Sequence, residues 1–175
     1  HGIRFVFPNA PAIPVTINQG YVMPAWYDIL EMSLERKIDT AQIEQSASSI
    51  RALIAQENER GVPSEHIVIA GFSQGGAVAY QTALSYDKPL AGLLTLSTYL
   101  ATKDSLVLSD ANKNLKIAIH HGTQDPVVPV QLGQEAKAWL ESKGYQPQFY
   151  SYPMAHQVCM PQLKIIGKWL NDVLA

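Results

Sequence analysis

The sequence holds a single cysteine, Cys159, among 175 residues. An internal disulfide is excluded, and with it a disulfide-stapled fold and a multi-cysteine zinc site. Long hydrophobic runs are also missing. The longest near-apolar stretch, Leu90 to Leu96, is interrupted by Gly92 and Thr95 and falls far short of the roughly 20 residues that span a bilayer. Stable membrane insertion is not expected. Neither charge is in excess: 13 Lys and Arg stand against 15 Asp and Glu, for a net charge of −2. The basic residues are scattered, whereas a nucleic-acid surface needs them clustered, so no nucleic-acid partner is expected. Charged residues make up 16% and hydrophobic residues 47%, enough apolar material for a core and too little charge for disorder. The length suits one domain, residues 1–175. The chain opens on His1 and runs at once into a strand-like Ile3–Phe7 segment, so the expectation is a domain whose front is missing.

Strand-like and helix-like runs alternate. Ile3–Phe7 is β-branched and aromatic and is stopped by Pro8. The stretch Asn9–Pro24, with Pro11, Pro14 and Pro24, reads as a long loop, and long ordered loops are often functional. Asp39 can cap a helix with Gln42 three residues on. Ile43, Ala47, Ile50 and Ile54 follow at helical spacing until Gly61 and Pro63. Ile67–Ala70, Leu93–Leu96 and Lys116–His120 are short continuous apolar runs of the kind buried on both faces. Gly75–Leu84, Val130–Lys143 and Pro161–Leu174 read as helices, and Gln148–Tyr152 as a fifth strand. This alternation predicts an α/β fold with a mainly parallel sheet and helices on both faces.

The sharpest local signal is Gly71-Phe72-Ser73-Gln74-Gly75, directly after one apolar run and directly before a helix. G-x-S-x-G in that setting is a nucleophile elbow. The strand-to-helix turn is so tight that the residues two before and two after the serine are expected to be small. The serine hydroxyl then projects above the carboxyl edge of the sheet, with the Gln74 N–H facing the place where an oxyanion would form. By composition alone the pattern appears in about one chain in twenty; the flanking strand and helix make it more specific.

A serine hydroxyl needs a base, and the base needs an orienting acid. In this architecture the chain order is serine, acid, histidine. Asp125 follows the Lys116–His120 run, and His156, in the loop after Gln148–Tyr152, is the one histidine beyond it. Ser73, Asp125 and His156 all fall past the carboxyl ends of parallel strands, where open α/β sheets keep their sites. His120 and His121 are adjacent, so on a strand they point to opposite faces and cannot chelate together; no metal is expected. Asp87, Asp104 and Asp110 sit in polar, turn-like contexts and read as solvated loop acids. Cys159 has no base after it and reads as packing. Met23, Trp26 and Tyr27 close the long loop. They are either core or the wall of an acyl pocket, and are carried forward as substrate-binding candidates.

Taken together, Ile3–Pro11, Pro14-Val-Thr-Ile-Asn18, Met23-Pro-Ala-Trp-Tyr-Asp28, Gly71-Phe-Ser-Gln-Gly-Gly76, Leu96-Ser97, His121-Gly-Thr-Gln-Asp-Pro-Val-Val-Pro129 and Tyr152-Pro-Met-Ala-His156 resemble the phospholipase/carboxylesterase family. This α/β-hydrolase group includes bacterial carboxylesterases and acyl-protein thioesterases. The resemblance runs in order over essentially the whole chain. It implies an α/β-hydrolase fold, a Ser73, Asp125, His156 triad, and hydrolysis of carboxylic esters without a cofactor. Short-chain esters are the expected substrates, with acyl-protein thioesters or lysophospholipids as the alternative. Family members begin with further strands and a His-Gly-Leu-Gly-type loop that supplies a second oxyanion donor. His1-Gly2 cannot stand in for it, because a strand follows here instead of preceding. The resemblance thus implies missing N-terminal strands, one of them between Ile3–Phe7 and Ile67–Ala70. A cytoplasmic enzyme is expected, with self-association as a possibility; the competing reading is a truncated domain of low activity that self-associates.

Overall fold

The computed structural model describes residues 2–31, 33 and 36–175. Its centre is a four-stranded, wholly parallel sheet of β5 (Val68–Phe72), β6 (Gly92–Leu96), β7 (Ile117–Gly122) and β8 (Gln148–Tyr152), in that spatial order. Two antiparallel pairs precede it: β1 (Ala12–Val15) with β2 (Tyr21–Pro24), and β3 (Ile29–Glu31) with β4 (Lys37–Ile38). The helices are α1 (Thr40–Glu59), α2 (Gln74–Ser85), α3 (Val130–Ser142) and α4 (Met160–Val173).

The strand alternation explains why helices cover both faces. Ile69, Leu93, Ile117 and Ile119 face one way and pack with Ile54 of α1, Tyr80 and Leu84 of α2, and Ala136 and Leu140 of α3. Leu94 and Ala118 face the other way, onto Ile166 and Trp169 of α4. Successive side chains on a strand point to opposite faces, so each of these apolar runs feeds two cores at once. This is the predicted layer arrangement, and α1 is capped as predicted: the Asp39 carboxylate accepts the Gln42 N–H at 3.0 Å. The Gln42 side chain does not return to Asp39. Its Oε1 accepts the Asp28 N–H at 2.6 Å, tying the helix to the segment that precedes it.

Three expectations need correction. Ile3–Phe7 is not a strand; residues 2–11 have no regular structure. A strand exists only through a hydrogen-bonding neighbour, and among the described residues none pairs with this one. The segment is held by other means, an Arg4–Glu57 ion pair at 3.4 Å and a Phe5–Phe7 ring stack at 6.2 Å. β5 is an edge strand among the described residues, and it is not buried on both faces as expected: Ile69 faces the core, whereas Ala70 and Phe72 on the other face are exposed, because no helix covers them fully. The predicted long loop contains the β1–β2 hairpin, turned by Gln19 and Gly20 at φ 58° and 76°. Its prolines obscured it. A two-stranded ribbon tolerates proline where the missing N–H would face outward, and Pro14 and Pro24 both lie within it.

Candidate active site

The site is built where β5, β7 and β8 end. Between β5 and α2 the chain turns at Ser73, whose φ of 53° and ψ of −120° lie where non-glycine residues are rare and strained. The turn is possible because of Gly71. A Cβ there would sit 2.1 Å from the Gly75 carbonyl oxygen. Gly76 is equally fixed, since its Cβ would fall 2.3 Å from the Thr98 methyl group. Gly75 differs from the sequence expectation: a Cβ there would meet only Trp26 Nε1, at 3.8 Å. The two glycines that the turn requires are therefore 71 and 76. Thr98 also donates its hydroxyl to the Ser73 carbonyl at 2.5 Å. Gln74 heads α2, where first-turn N–H groups have no acceptor within the helix.

The loop after β7 carries Asp125, whose side chain is fully buried. Its Oδ1 accepts the N–H groups of Val127 and Val128, both at 2.9 Å. Its Oδ2 meets His156 Nδ1 at 2.7 Å. His156 Nε2 in turn stands 3.1 Å from Ser73 Oγ. With the ring proton on Nδ1, Nε2 is left to accept the serine proton. The ring also lies against Phe72, centroids 4.8 Å apart. The loops after β7 and β8 are joined to each other by backbone hydrogen bonds, Thr123 N–H to the Tyr152 carbonyl at 2.8 Å and Gln124 N–H to the Met154 carbonyl at 3.1 Å. Gly122 permits this approach, since its Cβ would lie 2.4 Å from the Met154 carbonyl oxygen.

The adjacent histidines do point apart, and both are fully buried. His120 Nδ1 pairs with the Tyr152 hydroxyl at 2.9 Å while its ring stacks on Tyr150 and Tyr152. Burial pushes its pKa down to about 4. His121 donates Nε2–H to the Val128 carbonyl at 2.7 Å and lies 3.8 Å from Asp125 Oδ2. Burial lowers its pKa, against an opposing pull from the Val128 carbonyl and Asp125. Both rings are therefore neutral at pH 7. Sequence reasoning did not anticipate that His121 braces the acid's loop. The signal was its position four residues before Asp125 on the same strand end.

The three substrate-binding candidates separate. Trp26 is half-buried beside the elbow. Tyr27 is fully buried, with its hydroxyl 2.8 Å from that of Tyr99 and its pKa raised well above the usual value, chiefly by burial. That corrects the pocket expectation for Tyr27, because a side chain closed into the core offers a ligand no surface. Met23 is exposed on the hairpin, in a shallow groove with Ile17, Asn18, Gln19 and Tyr21. Cys159, expected to be packing, is half-exposed at the N-cap of α4, with its N–H on Gln162 Oε1 at 3.3 Å.

Residues 1–174 match the family described as Phospholipase/Carboxylesterase. The chain belongs to the phospholipase/carboxylesterase family. It is 37% identical to acyl-protein thioesterase 1 of Neurospora crassa over 98% of this chain and 74% of that protein. It is equally identical to acyl-protein thioesterase 1 of Mycosarcoma maydis, over 98% of this chain and 78% of that one. Among solved structures, Arabidopsis thaliana SOBER1 superposes with a TM-score of 0.89 at 32% identity, covering 97% of this chain and 83% of that one. Zea mays acyl-protein thioesterase 2 gives 0.85 at 25% identity, covering 96% and 80%. The Bacillus cereus carboxylesterase, at 18% identity and a TM-score of 0.73 over 86% of this chain and 69% of that one, shares the fold. With these matches the α/β-hydrolase fold expected of this phospholipase/carboxylesterase member is established.

Proposed function

We propose that this chain is a serine hydrolase of acyl thioesters, with Ser73 as nucleophile, His156 as general base and acid, and Asp125 as the group that orients the imidazole. The observation that carries the catalytic part is the double engagement of His156, 2.7 Å from Asp125 and 3.1 Å from Ser73. The thioester part rests on the acyl-protein thioesterases to which the chain is similar. They favour this reading over the short-chain carboxylic esters expected from the sequence, since the carboxylesterase likeness is one of fold.

Ser73 Oγ attacks the acyl carbonyl as its proton passes to His156 Nε2. The tetrahedral oxyanion is stabilised by the Gln74 N–H at the head of α2, where the helix end adds partial positive charge. As the C–S bond breaks, His156 returns the proton to the departing sulfur. A water then attacks the acyl-serine. Its proton goes to His156 and from there to Ser73 Oγ as the acid leaves. Every proton is handled by His156, so no cofactor is invoked. The reading includes a cytoplasmic enzyme, where a single unpaired cysteine is ordinary. Among the described residues no helix is long and apolar enough to cross a membrane.

The test compares an octanoyl thioester with p-nitrophenyl octanoate and p-nitrophenyl acetate, alongside labelling by a fluorophosphonate. The expected result is label on Ser73 and a higher kcat/KM for the thioester than for either oxygen ester. Label on another serine overturns the triad; a preference for the acetate ester overturns the thioester assignment.

A further inference from the structure

The segment Ala25–Asp28 is hydrogen-bonded at six of its eight backbone N–H and C=O groups. The Ala25 N–H goes to the Pro11 carbonyl at 3.0 Å. The Trp26 carbonyl accepts the Ser46 hydroxyl of α1 at 2.5 Å. The Asp28 N–H goes to Gln42, and the Asp28 carboxylate accepts the Thr16 N–H and hydroxyl from the end of the hairpin. One side chain joins this strap to the catalytic elbow. Gln74 Oε1 accepts the Trp26 N–H at 3.2 Å, and Gln74 Nε2 donates to the Tyr27 carbonyl at 2.9 Å. The chain bends at Trp26 and Tyr27, so that these two groups face the same way. A primary amide is the side chain that presents a donor and an acceptor side by side to such a pair.

Tyr27 is anchored in the core through Tyr99, and the Trp26 indole packs at the edge of the same cluster, partly open. Its Nε1 lies over Gly75, two residues from Ser73, in the space that a Cβ at position 75 would approach to 3.8 Å. Trp26 is half-buried, and its amphipathic ring, apolar with one N–H, suits a wall that a ligand can line. A Cβ at Gly75 would touch the indole only at ordinary van der Waals distance, so neither the turn nor the indole demands a glycine there.

We propose that the side-chain amide of Gln74 is a specificity-determining positioning group, clasping Trp26 and Tyr27 so that the Trp26 indole forms a wall for the acyl chain beside Ser73. The inference rests on Ser73 being the nucleophile. Residue 74 then has two roles on separate atoms: its backbone N–H faces the oxyanion, and its amide sets which acyl groups are held. An acetyl group is too short to reach an indole beyond Gly75, whereas an octanoyl chain lies along it. The amide acts through Trp26 and is not itself in contact with substrate.

The test is a double-mutant cycle read as a ratio, kcat/KM for the octanoyl thioester over kcat/KM for the acetyl thioester. Gln74→Met keeps the volume and the backbone N–H and removes both hydrogen bonds. The ratio should fall about tenfold, mainly through KM. Trp26→Ala should lower it by a similar factor, and Gln74→Met added to Trp26→Ala should lower it little further, because residues acting through one another are not additive. Equal loss on both substrates, or full additivity, overturns the proposal. A measurement on the native protein stands beside the cycle. An octyl phosphonate on Ser73 should shift the Trp26 fluorescence, isolated by difference from Trp26→Phe, and a methyl phosphonate should not. Equal spectra for the two adducts overturn the proposal whether or not Gln74→Met folds. If a fluorophosphonate leaves Ser73 unlabelled, it is the triad reading that fails. If Ser73 is labelled and the ratio is unmoved, the clasp alone fails.

Discussion

Asp125 meets His156 with one carboxylate oxygen while the other is occupied by two N–H donors of its own loop, Val127 and Val128. The orientation of the acid is thus set before the histidine arrives. Asp125→Asn is the revealing substitution. If the amide oxygen stays on the two loop N–H groups, the NH2 faces His156 Nδ1, which must then become the acceptor. The ring proton moves to Nε2 and the base is lost. If the amide flips, its NH2 is driven against two N–H donors. Either way kcat should fall about 10⁴-fold while the fold persists. Steady-state kinetics together with a thermal melt check this, and a loss under tenfold argues against Asp125 as the orienting acid.

Removing the hydroxyl and relieving the backbone can be separated at Ser73. Ser73→Ala should abolish turnover, by roughly 10⁴-fold or more, with the strained φ retained. Ser73→Gly should do the same and also raise stability by about 1 kcal/mol, since glycine occupies positive φ without the Cβ penalty. Chemical denaturation of the two variants checks the difference. A glycine variant no more stable than the alanine variant would mean that the turn holds no strain at this residue.

The three glycines around the elbow should respond unequally to alanine. Gly71→Ala forces a Cβ onto the Gly75 carbonyl and Gly76→Ala forces one into Thr98. Each should cost about 1–3 kcal/mol as an overpacking change, with loss of activity. Gly75→Ala should fold with near-native stability, its Cβ adding only an ordinary contact with Trp26. Melting temperatures of the three variants decide it, and equal losses at all three would contradict the observed spacing.

Acid should destabilise the protein through His120. Burial depresses its pKa to about 4 in the fold, against about 6.5 in the unfolded chain. Between these values the unfolded state binds the extra proton, so stability is fully present above about pH 6.5 and is lost as pH falls toward 4, by up to about 3 kcal/mol. His120→Gln should flatten this dependence. Urea midpoints across pH 4–8 give the test, and an unchanged slope in the variant would exclude His120 as the source.

What the sequence made legible was whatever depends on local chemistry. The capping aspartate of α1, the glycine-flanked serine, and the apolar runs that became β6 and β7 each satisfy rules confined to a few neighbouring residues. The order of Ser73, Asp125 and His156 was legible because strand ends in a parallel sheet share one edge. What failed depended on partners. Ile3–Phe7 has strand composition, but strand is a relation between two segments, and nothing within five residues reveals whether a neighbour is present. Tyr27 and Trp26 are adjacent and aromatic, yet at a bend held by Gln74 one is fully buried and the other only half-buried at the edge of the same cluster. No periodicity separates two neighbours at a bend.

The backbone bonds between the loops after β7 and β8 have a mechanical consequence. Asp125 and His156 ride on neighbouring strands whose ends are stitched together, while Ser73 hangs from β5, across β6. Ser73 is fastened to β6 instead, its N–H on the Leu96 carbonyl at 2.9 Å and its carbonyl on the Thr98 hydroxyl, so its link to Asp125 and His156 runs through β6. In the proposed relay, the Asp125–His156 contact is thus held by loops joined directly to each other, and the His156–Ser73 contact by way of the strand between them.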